Sequence, residues 1–128
     1  MDTLITSSPT TLEWLREIKF RIEREIPSLI YGEFKYWASF KNPETNRNVV
    51  YLQPQRNQIR LFTRLDCSFD SSLKRTPSSS GWKKMYPSIF LIRSENLIDK
   101  AVELIIASYR EDLRRSENKH VAASPNTA

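Results

Sequence analysis

The chain of 128 residues contains one cysteine, one histidine and two glycines. Cys67 cannot form a disulfide within the chain, and with only His120 beside it the sequence lacks the Cys/His cluster that binds zinc. No apolar run approaches the roughly 20 residues that a membrane-spanning helix requires, and the N-terminal segment lacks the basic and apolar regions of a secretory signal. We therefore expect a cytoplasmic protein that stays out of the membrane and binds no metal or other cofactor.

Residues that could perform catalysis are equally scarce. A Ser-His-Asp arrangement would have to use His120, which lies in a polar segment without hydrophobic periodicity. Cys67 has no ordered histidine that could activate its thiol. The acidic residues Glu33, Asp66 and Asp70 show no spacing typical of a magnesium site. We assign no catalytic residue and do not expect an enzyme.

Helical periodicity occurs near both ends of the chain. Residues 10–13 have the S/T-x-x-E form of a capping box, and apolar residues then recur every three or four positions until Pro27. Ser94 is expected to cap a second helix that runs to Arg115. These patterns predict one helix on either side of the central segment.

Strand periodicity fills the segment between the helices. Residues 59–65 alternate in polarity, and a β-branched and aromatic run, 49–53, precedes them across a short polar turn, which predicts a two-stranded antiparallel ribbon over 49–65. Residues 34–41 predict a strand before it, and residues 88–93 one after it. The whole pattern predicts an α+β fold, with a mainly antiparallel sheet of four or five strands and the N- and C-terminal helices packed on one face. We expect residues 1–8 to be a flexible N-terminus, 9–115 a single domain and 116–128 a disordered tail.

The net charge of +5 is concentrated in the predicted sheet. Residues 31–93 contain eleven basic and four acidic side chains, whereas residues 1–30 and 94–128 each have one acidic residue in excess. This distribution is typical of a surface that faces a polyanion, and it is equally compatible with a solvated surface that keeps the protein soluble.

Aromatic and basic residues alternate on one face of the predicted strands. Bases can stack on aromatic rings while phosphates pair with Lys and Arg, so this pattern favours nucleic-acid binding. The predicted stacking residues are Trp37, Tyr51 and Phe62. The predicted nucleic-acid-binding cations are Lys35, Lys41, Arg56, Arg60, Arg64, Lys83 and Lys84. In the alternative interpretation the rings are covered by the C-terminal helix, by the loop after Asp66 or by a second subunit.

Four segments, YWASFK, VVYLQPQRNQIRLFTRLD, GWKKMYPSIFLIR and SENLIDKAVELIIASY, carry a resemblance to a known family. In that order they resemble the domain-of-unknown-function 5655 family, sometimes labelled a predicted transport protein. The layout is also similar to YjbR-like domains, which have been proposed to bind DNA. The resemblance implies a small α+β domain that accompanies nucleic-acid-processing proteins, and it implies no active-site residues.

The sequence thus predicts a non-catalytic nucleic-acid-binding or accessory module whose partner is DNA or RNA. The alternative is a protein interaction or homodimerisation module whose aromatic face is closed by a partner, since exposed aromatic patches mark interaction surfaces.

Overall fold

The structure is a computed structural model that describes residues 4–77 and 84–123, with side chains described as far as residue 117. Its α-helices are α1 (Pro9–Glu25) and α2 (Ile98–Ala123). Its strands are β1 (Ile30–Glu33), β2 (Ala38–Asn42), β3 (Arg47–Pro54), β4 (Ile59–Thr63), β5 (Lys74–Arg75) and β6 (Ser88–Ile92). Short 3-10 helices span Cys67–Phe69 and Glu95–Leu97.

All six strands pair antiparallel in one sheet, in the order β1-β2-β3-β4-β6-β5. The predicted ribbon is the β3–β4 pair at its centre. The α+β prediction is confirmed, and the sheet has one strand more than the upper limit of the predicted range. The strands β1 and β5 form its two edges.

Both helices pack on the same face of the sheet. Ile18 of α1 and Leu104 of α2 share one buried cluster with Leu52 and Leu61 of the sheet, and all four are 0% exposed. We call the face under the helices the inner face and the opposite one the outer face. The prediction that the helices pack on one face is therefore confirmed.

The capping box of helix α1 begins two residues earlier than the sequence predicted. Its N-cap is Ser8, whose hydroxyl accepts a hydrogen bond from the Thr11 N–H at 3.2 Å. The Thr11 hydroxyl in turn accepts the Ser8 N–H at 3.0 Å, so a threonine takes the place that Glu or Gln has in the usual capping box. Pro9 occupies the first helical position, where its missing N–H costs nothing.

The predicted first strand, 34–41, is divided differently in the structure. Strand β1 lies just ahead of the predicted strand, and β2 begins only at Ala38. Between them the N–H of Phe34 donates to the C=O of Trp37 at 2.7 Å and closes a tight hairpin. Four residues were too few to reveal β1 by their alternation.

The chain ends also differ from the prediction. Leu4 is 2% exposed in the core, and the N–H groups of Leu4 and Ile5 donate to the C=O groups of Phe34 and Lys35, so residues 4–8 are part of the fold. Helix α2 continues to Ala123, where a tail from residue 116 was expected. The expected tail residues 124–128 lie outside the described residues.

None of the helices within residues 4–77 and 84–123 is long and apolar enough to cross a membrane.

Candidate nucleic-acid interface

The register of the sheet assigns each strand side chain to one face, because successive residues point to opposite sides. In β3, Leu52 belongs to the inner face and Tyr51 to the outer face. Tyr51 pairs with Phe62 of β4, and Phe62 pairs with Ile89 of β6. These three side chains therefore lie beside one another on the face that the helices leave uncovered.

Four aromatic rings pack together on the outer face. The ring of Trp37 lies 6.3 Å from that of Tyr51 and 6.0 Å from that of Phe62, both in edge-to-face geometry. Tyr86, which precedes β6, adds its ring edge-on to Tyr51 at 5.1 Å. Edge-to-face packing is favourable for aromatic pairs, so these residues form a small second core, the outer aromatic cluster.

The packing limits which rings a base could reach. Phe62 is 4% exposed, so its predicted stacking role is incompatible with its position beneath the neighbouring rings. Trp37 and Tyr51 are only half-buried. Among the described residues Tyr86 packs against these rings, whereas the C-terminal helix lies on the other face of the sheet. Part of the loop after Asp66, the other predicted cover from this chain, lies outside the described residues.

Hydrogen bonds fix the polar ends of the two tyrosines. The Tyr86 hydroxyl donates to the C=O of Asn48 at 2.7 Å, and the Asn48 side-chain amide donates to the Tyr51 hydroxyl at 2.8 Å. Burial raises the pKa of Tyr86 to about 12, because the charged phenolate would be desolvated. Tyr86 therefore stays uncharged at neutral pH, and both tyrosines are tied to Asn48 at the start of β3.

Arginines and glutamines gather at the end of the outer face nearest the β3–β4 turn. The Arg60 guanidinium lies 5.2 Å from the Phe62 ring centroid and donates to the Gln53 side-chain oxygen at 3.2 Å. Nε of Arg93 donates to the Gln58 side-chain oxygen at 3.0 Å. We call Arg56, Arg60, Arg93, Gln53, Gln55 and Gln58 the arginine–glutamine patch.

The backbone that carries this patch is anchored to the start of α1. The Gln55 N–H donates to the C=O of Gln58 at 2.7 Å and closes the β3–β4 turn. The hydroxyls of Ser8 and Thr11 donate to the C=O groups of Arg56 and Gln55, each at 2.7 Å. The exposed Arg56 side chain is thus presented from a fixed turn.

Lys41 lies on the outer face at the opposite end of the sheet. It pairs with Asn48, whereas Arg60 pairs with Gln53, and five residues along a strand correspond to about 17 Å. Lys74 is paired with Ile89 and is exposed at the β5 edge. Cations therefore lie at both ends of the outer aromatic cluster and at its edge.

The remaining predicted lysines lie in turns. Lys35 is exposed between β1 and β2, with its ammonium 5.5 Å from the Tyr36 ring centroid. Lys84 is exposed just before β6. Lys83 lies outside the described residues.

Arg64 is not on the outer face, and its predicted role as a phosphate ligand does not fit its position. It is 4% exposed, and its Nε lies 3.3 Å from Oδ1 of the fully buried Asp112 on α2. The N–H is not aligned with that oxygen, so the two atoms form an ion pair without a hydrogen bond. The alternation that predicted Arg64 outward stops at Thr63, where β4 ends.

Polar side chains from β2, from the β2–β3 turn and from α2 surround this ion pair. Oδ2 of Asp112 accepts hydrogen bonds from the Asn42 amide at 3.2 Å and the Thr45 hydroxyl at 2.6 Å. The Ser108 hydroxyl accepts the Arg64 N–H at 2.9 Å, which holds the bend after β4 against α2. Arg64 therefore joins the sheet to the helix and takes no part in the surface.

Several cations on the helices differ from those on the outer face, because they have carboxylate partners. Among the described residues these ion pairs join Lys19 to Glu23 at 3.1 Å, Arg21 to Glu17 at 2.8 Å, Arg114 to Glu111 at 2.7 Å and Arg115 to Glu111 at 2.7 Å. Glu33 is the single acidic residue of the six strands. It accepts a hydrogen bond from the Tyr31 hydroxyl at 2.7 Å, and the Tyr31 ring packs against the inner-face Phe40. The strands thus contribute no carboxylate to the outer face.

Sequence reasoning missed Arg93 and the three glutamines. Arg93 closes the predicted strand 88–93, but its proximity to Gln58 depends on the pairing of β4 with β6, which are separated by the β5 segment. That pairing is non-local and leaves no signal in the alternation itself. The glutamines could have been found from their spacing around the β3–β4 turn.

No family model, curated protein or solved structure matched the chain. The resemblance to the domain-of-unknown-function 5655 family accordingly stays a prediction. Within residues 4–77 and 84–123, no group of three or more His, Cys, Asp or Glu side chains is arranged to hold a metal ion.

Proposed function

We propose that this domain is a non-catalytic nucleic-acid-binding module whose outer face contacts phosphates through Arg56, Arg60 and Arg93, with Lys41 as a further contact at the other end. The observation that carries the proposal is the difference in charge pairing. The helix cations Lys19, Arg21, Arg114 and Arg115 are matched by carboxylates, whereas the strands put no carboxylate on the outer face.

The chemistry of the arginine–glutamine patch supports the same partner. Arg60 and Arg93 are held by glutamine side chains and, for Arg60, by an aromatic ring, and these neutral partners leave the positive charge uncompensated. Guanidinium groups bind phosphate oxygens in a bidentate manner, and glutamine amides can both donate to and accept from base edges. The patch therefore combines groups for backbone contact and for base contact.

The outer aromatic cluster has a supporting role in this proposal. Trp37 and Tyr51 are half-buried, and each presents only part of its ring. Phosphate contacts, more than stacking, supply the affinity, so binding is expected to depend strongly on salt. For three phosphate contacts on duplex DNA, affinity should fall about 40-fold between about 50 and 200 mM salt.

A partner that closes the aromatic face, the alternative from the sequence, has less support. Phe62, Tyr86 and Ile89 are 4–6% exposed within one chain. A cluster that is already buried does not need a partner to remove it from water.

The test is fluorescence anisotropy of labelled single-stranded DNA, duplex DNA and single-stranded RNA, titrated with the protein at low and moderate salt. The decisive variant carries Arg60→Glu and Arg93→Glu, and its control carries Arg16→Glu and Arg110→Glu. Arg16 and Arg110 are exposed on α1 and α2, so the control has the same net charge with the outer face intact.

We expect salt-sensitive binding by the unmodified protein and by the control, and a loss of at least tenfold in the decisive variant. Circular dichroism checks that both variants are folded. If none of the three nucleic acids binds at low salt, or if both variants lose affinity equally, the outer face is not a nucleic-acid-binding site.

A further inference from the structure

The two edges of the sheet differ in how well they are protected from pairing with another strand. The β5 edge consists of the two charged residues Lys74 and Arg75. Short, charged edges of this kind discourage strand addition. The β1 edge is twice as long, and its sequence Ile-Tyr-Gly-Glu contains neither lysine nor proline. The β1 edge is therefore the longer and less charged of these two edge strands.

The hydrogen-bond pattern identifies which groups of β1 face outward. The Phe34 N–H donates to Trp37 within the β1–β2 hairpin. Since inward and outward residues alternate along an antiparallel strand, Gly32 and Ile30 also face β2, whereas Tyr31 and Glu33 direct their N–H and C=O groups away from the sheet. Among the described residues no hydrogen bond reaches those outward groups, and the N–H groups of Leu4 and Ile5 donate to the C=O groups of Phe34 and Lys35, beyond the end of β1.

We infer that β1 is the site where a second copy of this chain adds its own β1, antiparallel, about a two-fold axis at Gly32. In this register Tyr31 faces Glu33 of the second copy, and Glu33 faces its Tyr31. Both are outward-facing residues, so the two N–H groups and two C=O groups on each strand can form four hydrogen bonds. Registers centred on Tyr31 or Glu33 would pair one of these two residues with a residue outside β1. The register centred on Gly32 pairs both of them within β1.

The side chains are complementary in the same register. On the outer face Ile30 meets Phe34 of the second copy, and these are among the most exposed large apolar side chains that the structure describes, at 54% and 53%. The two Gly32 residues face each other at the axis, and the Phe34 ring lies against that glycine, so close that an added Cβ would be 3.3 Å from it. On the inner face Tyr31 meets Glu33, which is already its hydrogen-bond acceptor within one chain. No two like charges are opposed.

The interface is small, because each strand has four residues. We therefore expect a weak dimer, in roughly the micromolar to millimolar range, whose population rises with protein concentration. The two-fold axis is perpendicular to the sheet, so both outer faces lie on the same side. This inference does not depend on the proposed function.

The test is sedimentation velocity of the full chain over a wide concentration range, without nucleic acid. The first variant is Glu33→Pro, with Glu33→Ala as its control. Proline removes an outward N–H that the β1–β2 pair does not use, and edge strands tolerate it for that reason. Two intermolecular hydrogen bonds are lost, so dimerisation should weaken at least about tenfold. The control keeps this N–H and loses only the carboxylate that faces Tyr31, so it should weaken dimerisation much less than the proline variant does.

The second variant, Ile30→Lys, places a charge in the apolar part of the interface, and Phe69→Lys is its control. Phe69 is 55% exposed but lies in the 3-10 helix after β4. Ile30→Lys should also weaken the dimer at least about tenfold while its control does not. Hydrogen exchange of the Tyr31 and Glu33 amides should slow as the protein concentration rises.

A chain that stays monomeric at all concentrations would overturn the inference. So would an assembly larger than a dimer, or a dimer that both edge variants leave unchanged. Exchange of the Tyr31 and Glu33 amides that is independent of concentration in a dimeric sample would show that another surface forms the interface.

Discussion

The two faces of the sheet differ in what packs against their apolar side chains. The inner face is covered by two helices and contains the large core, whereas on the outer face four rings, among them Tyr86, pack against one another. The cations differ in the same way. Lys19, Arg21 and Arg115 on the helices have carboxylate partners, whereas Arg60 and Arg93 of the arginine–glutamine patch are held by glutamines and, for Arg60, a ring. Part of the positive charge on the helices is therefore matched within the molecule, whereas the charge of Arg60 and Arg93 is held by neutral groups.

Arg64 and Arg60 provide the largest expected contrast between interior and surface. Arg64→Ala leaves the buried carboxylate of Asp112 without its cation, which should destabilise the fold by about 3–5 kcal/mol. Arg60→Ala should change the free energy of unfolding by about 0.5 kcal/mol or less, because this residue lies on the surface of the sheet. Urea denaturation measures both. Equal effects of the two substitutions would mean that Arg64 is not an interior residue.

Phe62 tests whether the outer aromatic cluster is a core in its own right. Phe62→Ala removes the ring that lies between Trp37 and Ile89, and we expect a loss of about 3 kcal/mol in the free energy of unfolding. The matched inner-face change Phe40→Ala should cost about as much or more, since Phe40 is 0% exposed. A loss below about 1 kcal/mol for Phe62→Ala would show that the rings are not packed as described.

Glu111 tests the helix-side ion pairs through their pH dependence. Hydrogen bonds from Arg114 and then Arg115 lower the pKa of Glu111 to about 2. Because the folded-state pKa is below the unfolded value, this stabilisation is complete above about pH 4.5 and is lost as the pH falls towards about 2. Glu111→Gln should therefore reduce the acid sensitivity of stability, with a cost of about 0.5 kcal/mol at neutral pH.

The controls for this experiment are Arg60→Gln and Arg93→Gln. These variants should lose free energy of unfolding below about pH 4.5 in the same way as the unmodified protein does. Asp70, whose pKa is lowered to about 2 by hydrogen bonding to Lys100, should preserve part of the acid sensitivity in Glu111→Gln. An acid limb that is identical in Glu111→Gln and the unmodified protein would contradict the assignment.

Alternation predicted the fold where strands are long and failed where they end. It assigned Tyr51, Arg60 and Phe62 to the outer face correctly, because β3 and β4 keep a period of two through these positions. It misplaced Arg64, because the strand ends at Thr63 and the chain bends towards α2. It also missed β1, whose hydrogen bonds to β2 define it better than its four side chains do.

The candidate site was predictable only in part for a related reason. Arg56 and Arg60 belong to one hairpin, and their proximity follows from the local sequence. Arg93 joins them through the pairing of Ile92 with Ile59, a contact between strands far apart in the chain. The burial of Phe62 under Tyr86 is non-local in the same sense, so single-sequence patterning could not distinguish a stacking ring from a packed one.

The salt dependence of nucleic-acid affinity tests most directly the claim that the outer-face arginines carry uncompensated charge. The measurement compares the slope of log K against log salt for the unmodified protein, for Arg60→Gln/Arg93→Gln, and for Arg16→Gln/Arg110→Gln as control. Removing two phosphate contacts should lower the magnitude of the slope by about 1.8 on duplex DNA or about 1.4 on a single strand, with no change in the control. An outer-face variant with the same slope as the unmodified protein would contradict the account.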